Sequence, residues 1–206
     1  MRHTASLLLL AACSSSPPYP EFAGDPALPL EVELSIRDVS GGLTTLADGM
    51  RVPLIEAPQG GKTIFVAVRA RNLYTGAVEL MGLVRDGTVD GQDPILGLEK
   101  RPVDFALAAD GWAYPVEPDQ LSSYSNIALC PNYKSSRDIH EEAYQVTVEV
   151  EDRSGRRGGR ALMVTPYCGV PAEEQSCRCQ CAHGYHHGQC TVGPNRSAVL
   201  ASEVWR

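Results

Sequence analysis

Cys177, Cys179, Cys181, His183, His186, His187 and Cys190 place four thiols and three imidazoles within fourteen residues near the C-terminal end of the chain. Two chemistries suit such a set. Thiolates and imidazoles are good ligands for zinc or copper, and cysteines bunched at one end of an exported chain form disulfides. The spacing matches none of the usual zinc patterns, and thiolates must stay reduced to bind a metal. Oxidation to disulfides is therefore the expectation, with no metal or other cofactor; a metal-binding protein using this Cys/His tail is the alternative.

Other chemistry-bearing residues are scattered. The sequence holds no G-x-S-x-G elbow, no H-E-x-x-H and no phosphate-binding glycine loop. His140-Glu141-Glu142 begins like a zinc motif, but Gln145 stands where the second histidine is needed, so it reads as a surface histidine ahead of a strand. Asp86, Asp90 and Asp93 could offer oxygens to calcium, yet their spacing is not that of an EF-hand loop and Asp-Gly is ordinary turn chemistry. Trp112, Tyr114, Tyr124 and Tyr133 lie in a loop-rich stretch where exposed aromatics would suit a binding face and where packing is the default. An exported hydrolase would have to assemble carboxylates or a triad from dispersed positions.

At the other end, Met1-Arg2-His3 leads into the apolar run Leu7 to Leu10, and Ala11-Ala12 precede Cys13. The stretch Leu10-Ala11-Ala12-Cys13 resembles the lipobox of bacterial lipoproteins. The resemblance implies export, cleavage before Cys13, and attachment of acyl chains to its sulfur and to the new amino terminus. A bilayer span needs about 20 apolar residues, so Leu7 to Ala12 is a signal and not a membrane helix. The expected partner is then a membrane, held through the lipid; each buried methylene contributes roughly 0.8 kcal/mol, so two or three chains hold where one is marginal. Ser14 follows the acceptor cysteine, where an aspartate would resemble an inner-membrane retention signal. The cell envelope, on the outer membrane, is the expected location.

Charge and cysteine parity bear on the same point. Without residues 1–12 the chain keeps 17 Lys+Arg, since only Arg2 is lost, against 25 Asp+Glu, a formal net charge of −8. That argues against nucleic acid as a partner, because phosphate binding needs clustered cations. Of seven cysteines, lipidation of Cys13 leaves Cys130, Cys168, Cys177, Cys179, Cys181 and Cys190, an even number suited to an oxidising compartment.

The run from Cys179 to Cys190, with Gly184 and Tyr185 between Cys181 and Cys190, resembles the C-terminal half of an epidermal-growth-factor-like module. That resemblance implies a Cys181–Cys190 bond. In an extended segment, residues two apart have Cα atoms about 6.6 Å apart, near the limit for a disulfide, so Cys177, Cys179 and Cys181 do not pair among themselves. With Cys181 joined to Cys190, Cys130 and Cys168 take Cys177 and Cys179 in one order or the other, and Cys130 staples the tail to the preceding domain. A Cys130–Cys168 staple is the competing arrangement, and it forces Cys177 onto Cys179 through a sharp turn.

Between these ends the periodicity is that of strands. Residues 13–29 hold five prolines and three serines with no period and read as a semi-extended tether. Leu30, Val32, Leu34 and Ile36 then alternate with polar residues, as do Ile64, Val66, Val68 and Ala70. Val78 to Val84, Tyr144 to Val150 and Ala161 to Tyr167 are further strands; Val52 to Ile55, Val103 to Leu107 and Asn126 to Leu129 are weaker ones, and residues 86–125 are vague. About eight short strands without a helical stripe predict an all-β sandwich. Tyr144 through Gly155 resembles the penultimate strand and turn of immunoglobulin-like domains, especially the polycystic-kidney-disease-type repeats of bacterial surface proteins. The resemblance implies that Tyr144 is a tyrosine corner and that Val146, Val148 and Val150 face the opposite sheet. Ser197 to Trp205 is expected to form a short helix.

The expectation is thus a signal over 1–12, a tether over 13–29, an immunoglobulin-like antiparallel β-sandwich over 30–167 and a disulfide-rich tail over 168–206. The favoured role is non-enzymatic: an envelope lipoprotein that binds a protein or glycan, or is structural. Fold alone licenses nothing sharper.

Overall fold

Alternation along the chain turns into two facing layers of strands. The computed structural model describes residues 21–86 and 94–190; Cys13 and its lipobox, the tether up to residue 20, Asp90, Asp93 and the helix expected after Ser197 lie outside the described residues. In chain order the strands are β1 (Phe22–Ala23), β2 (Glu31–Arg37), β3 (Leu43–Thr45), β4 (Met50–Glu56), β5 (Lys62–Arg71), β6 (Leu73–Tyr74) and β7 (Val78–Arg85). They continue with β8 (Ile95–Val103), β9 (Phe105–Leu107), β10 (Ala113–Pro115), β11 (Ser125–Cys130), β12 (Tyr144–Glu151) and β13 (Arg157–Cys168). A single turn at Pro171–Glu173 leads into helix α1 (Glu174–Cys181).

One layer is built on β5, which pairs with β2 and β11 and touches β10, while β3 extends it beyond β2. The other runs β4-β13-β12-β7-β8. β4 belongs to both. Its first residues run parallel to β13, with Met50 opposite Val164 and Leu54 opposite Cys168, and its last two pair antiparallel with β5. This parallel pair is the exception to the expected antiparallel order. At the far edge β11 crosses close to β7 and β8, where a methyl group on Gly82 would collide with the Ser125 side chain and one on Gly97 with the Ala128 carbonyl. Asn126 N donates to Glu99 Oε2 at 2.7 Å across that approach. The result is an immunoglobulin-like all-β sandwich.

The core lies between the layers. Val146, Val148 and Val150 are fully buried against a cluster that includes Leu34, Val66 and Val68. Each such side chain contributes roughly 1.5–3 kcal/mol of transfer free energy. Tyr144 opens β12, is itself fully buried, and donates from its hydroxyl to the Asp138 carbonyl at 2.8 Å, the tyrosine-corner bond.

Two hairpins use the same local chemistry. Asp38-Val39-Ser40-Gly41-Gly42 closes β2 on β3, and Asp152-Arg153-Ser154-Gly155-Arg156 closes β12 on β13. In both, the first Oδ1 accepts from the backbone N–H and the hydroxyl of the serine two residues on, at 2.8 and 2.6 Å, and the glycine takes positive φ. Ser40 and the Gly42 amide hold the Asp38 carboxyl below its ordinary range. Burial works the other way at Asp152 but is outweighed by bonds from Ser154, Tyr74 and Arg156, so that carboxyl is lowered as well.

The folded part begins before Leu30. β1 pairs with β6, and Asn72, held at φ 63°, ties down the segment between: its N–H donates to the Ala23 carbonyl at 2.6 Å, its Oδ1 accepts from Asp25 N at 2.9 Å and its Nδ2 donates to the Pro29 carbonyl at 2.7 Å. Residues 21–29 are docked on the sandwich, where the proline pattern alone reads as tether.

Candidate binding surface

The cysteine-rich segment is folded onto one end of the sandwich. Residues 174–181 are helical rather than extended, and that changes the pairing. Residues four apart share a helix face, so Cys177 and Cys181 both point inward and are buried, bonded to Cys168 at the end of β13 and Cys130 at the end of β11. Cys179 is bonded to Cys190. The Cys181–Cys190 pair implied by the growth-factor-like resemblance is therefore corrected: that pairing treats Cys181 as part of a free loop, whereas the helix commits it to the domain. The competing Cys130–Cys168 staple does not form.

Backbone and charge reinforce the covalent clamp. Asn132 N donates to the Gln180 carbonyl and Ile139 N to the Cys181 carbonyl, both at 2.8 Å, and His183 N donates to Asp138 Oδ1 at 2.7 Å. Lys62, only 2% exposed, donates to Glu56 Oε2 at 2.8 Å and to Glu173 Oε2 at 2.6 Å. Burial pushes its ammonium down, but the two carboxylates together hold its pKa above the ordinary lysine value. His140 is not a surface histidine: its Nδ1 accepts from Cys168 N at 3.1 Å and its ring is largely buried. Burial, with Arg178 adding to it, lowers its pKa and keeps it neutral.

Between clamp and core runs a polar network. Asp86, fully buried, accepts from Arg137 Nη2 at 2.8 Å, and the Arg137 guanidinium stacks over the Tyr144 ring at 4.8 Å. Ser135 Oγ lies 3.1 Å from the Tyr144 hydroxyl and accepts from Arg137 N. Asp86, the one described member of the calcium triplet, thus serves an arginine. The bond to Asp86 keeps the Arg137 cation in place, and burial raises the Tyr144 phenol. Ser135 Oγ also lies 3.5 Å from Asp86 Oδ2, which ties the serine into the same network.

The aromatics divide into three situations. Tyr124 is buried, edge-on to Phe65. Trp112 and Tyr114 lie on the outer face of the β5 layer, with Arg69 and Arg71 stacked against the indole at 4.6 and 4.8 Å. The Arg69 donors go to Glu33 and to the Tyr114 hydroxyl, which in turn donates to Asp110. That ladder is satisfied within itself and pins the β9–β10 hairpin to the sheet. Tyr133 differs: it is 63% exposed and meets Tyr185 of the tail edge to face, ring centres 5.5 Å apart. Beside it, exposed Lys134 makes no hydrogen bond or ion pair among the described residues, and a pocket of about 250 Å³ opens towards Leu96, Leu129 and Pro131.

Tyr133 is visible in the sequence as one of four loop aromatics; its pairing with Tyr185, across 52 positions, depends on the clamp and carries no local signal. Among the described residues, no helix is long and apolar enough to cross a membrane, and the three cysteine sulfurs that lie within 4.8 Å of one another, those of Cys168, Cys177 and Cys181, are all in disulfides. No protein-family model matches the chain, and no curated protein matches it.

Proposed function

We propose that this chain is a lipid-anchored protein of the cell envelope, on the outer membrane, that binds a protein or glycan partner without catalysis. The observation that carries the binding role is the Tyr133–Tyr185 pair beside Lys134. Tyrosine offers a large amphipathic contact area at low entropy cost, and two of them are held on loops that a disulfide fixes to a rigid sandwich, so little ordering is left to oppose association. The three disulfides suit an oxidising compartment, in keeping with the lipobox ending at Cys13.

The test is photo-crosslinking in native membranes with p-benzoylphenylalanine incorporated in place of Tyr133, and in place of Leu98 on β8 as an equally exposed control. A discrete adduct from position 133, absent at 98 and suppressed by Tyr185→Ala, is the expected result. Adduct formation no greater at 133 than at 98 overturns the assignment of this surface. Glycosidase or protease digestion of the adduct separates the two partner classes.

A further inference from the structure

The two disulfides that clamp the tail are not independent of each other. The sulfurs of Cys168, Cys177 and Cys181 lie within 4.8 Å of one another, and Cys130 joins the group through its bond to Cys181. All four residues are buried, and they come from rigid elements: two strand ends and one face of a helix. Cys177 and Cys181 stand four apart on that face, the spacing by which a helix presents two ligands to one ion. In a tetrahedral zinc–thiolate site with bonds of 2.3 Å, the sulfurs stand about 3.8 Å apart. The bonded pairs now stand at 2.01 and 1.98 Å, so once both bonds open each pair must spread by about 1.8 Å for the four thiols, already gathered at one point, to surround an ion.

We propose that the reduced form of this protein binds one zinc(II) ion, or another thiophilic cation of similar size, at Cys130, Cys168, Cys177 and Cys181. The chemistry balances with a dithiol as reductant. Each disulfide accepts two electrons and two protons from one dithiol, which becomes a disulfide; the four protein thiols then release four protons on binding one zinc(II). This set differs from the histidine-containing tail that the sequence offers. Cys179 and Cys190 are excluded because helix α1 turns Cys179 away from Cys177 and Cys181, and His183, His186 and His187 are excluded as exposed loop residues. Reduction would thus exchange two covalent staples for one ionic one at the same place in the fold.

The test is titration of the full chain, reduced with a phosphine, with cobalt(II) as a spectroscopic substitute for zinc. One equivalent should produce the thiolate-to-cobalt charge-transfer band and the strong visible bands of tetrahedral cobalt, and zinc should abolish both. A Cys179→Ser/Cys190→Ser variant should keep this spectrum and a Cys168→Ser/Cys177→Ser variant should lose it. The reverse pattern, with the spectrum dependent on Cys179 and Cys190, overturns the proposal. Circular dichroism is followed in parallel: if reduction costs the sheet signal, one equivalent of zinc should restore it. Neither restored sheet signal nor tetrahedral cobalt also overturns the proposal.

Discussion

The sandwich and the segment clamped to its end are held by different forces. Between the two layers the work is done by rows of valine, leucine and isoleucine that alternate in the chain and interdigitate in space. The tail has little of this: α1 buries Cys177 and Cys181 and otherwise exposes polar residues. Bonds between sulfurs and a lysine gripped by two carboxylates replace the missing apolar area. A helix of eight residues is too short to persist in water alone, so its order is borrowed from the domain.

This contrast can be broken most forcefully at Cys130–Cys181. The loop it closes spans 51 positions, for which chain entropy gives about 4 kcal/mol. Cys130→Ser/Cys181→Ser should lower urea-unfolding stability by about that much and expose residues 171–190 to protease while the sheet signal persists; simultaneous loss of the sheet would mean that the two regions form one cooperative unit.

Next in size is Glu56→Gln/Glu173→Gln, which strands a buried ammonium and should cost about 3 kcal/mol at neutral pH. Lys62→Met should cost much less, since the remaining carboxylates are half-exposed. The pH dependence distinguishes the two states of Lys62. In the native chain its folded pKa is raised, so its contribution is whole below the ordinary lysine value and is lost as pH rises past the folded one. In the double variant burial acts unopposed, the pKa falls, and the destabilisation shrinks as the alkaline limb is climbed. Denaturant melts across that limb would show opposite slopes.

Inside the sandwich, Val148→Ala should cost about 2 kcal/mol through lost transfer energy and a residual cavity, measured by the same melts with an unchanged denaturant slope. The smallest effect is expected at Asn72→Gly, which keeps the positive φ but removes the two side-chain bonds to the N-terminal segment. About 1 kcal/mol and faster amide exchange at residues 23–29 should follow; unchanged exchange there would show that β1 alone holds the segment.

How much of this was legible beforehand follows the same division. β2 and β12 are readable because each buries one face, so period-two alternation is forced on the sequence, and β5 and β7 alternate in the same way over the parts that are not buried on both faces. The Tyr144 corner is readable because residue type and strand position coincide. β8 is hidden: Gly97, exposed Leu98 and Pro102 break its alternation, and the glycine is there to admit β11, a reason that lies in another strand. The docking of residues 21–29 is hidden for a similar cause, since it rests on the side chain of Asn72, far along the chain. The disulfide pairing hinged on one local fact, that residues 174–181 coil. Three cysteines and two glutamines in eight positions give no apolar stripe by which to see it.

The parallel pairing of β4 with β13 has a mechanical meaning. Tension drawn between the two ends of the chain reaches β4 from its N-terminal end, and in helix α1 it divides between Cys130 on β11, by way of Cys181, and Cys168 at the C-terminal end of β13, by way of Cys177. In parallel strands those pulls slide one strand along the other, so the ladder from Met50 to Leu54 is loaded all at once instead of being unzipped one bond after another. A domain strained in that direction yields late and abruptly, whereas the antiparallel β2–β5 pair ahead of it can peel step by step.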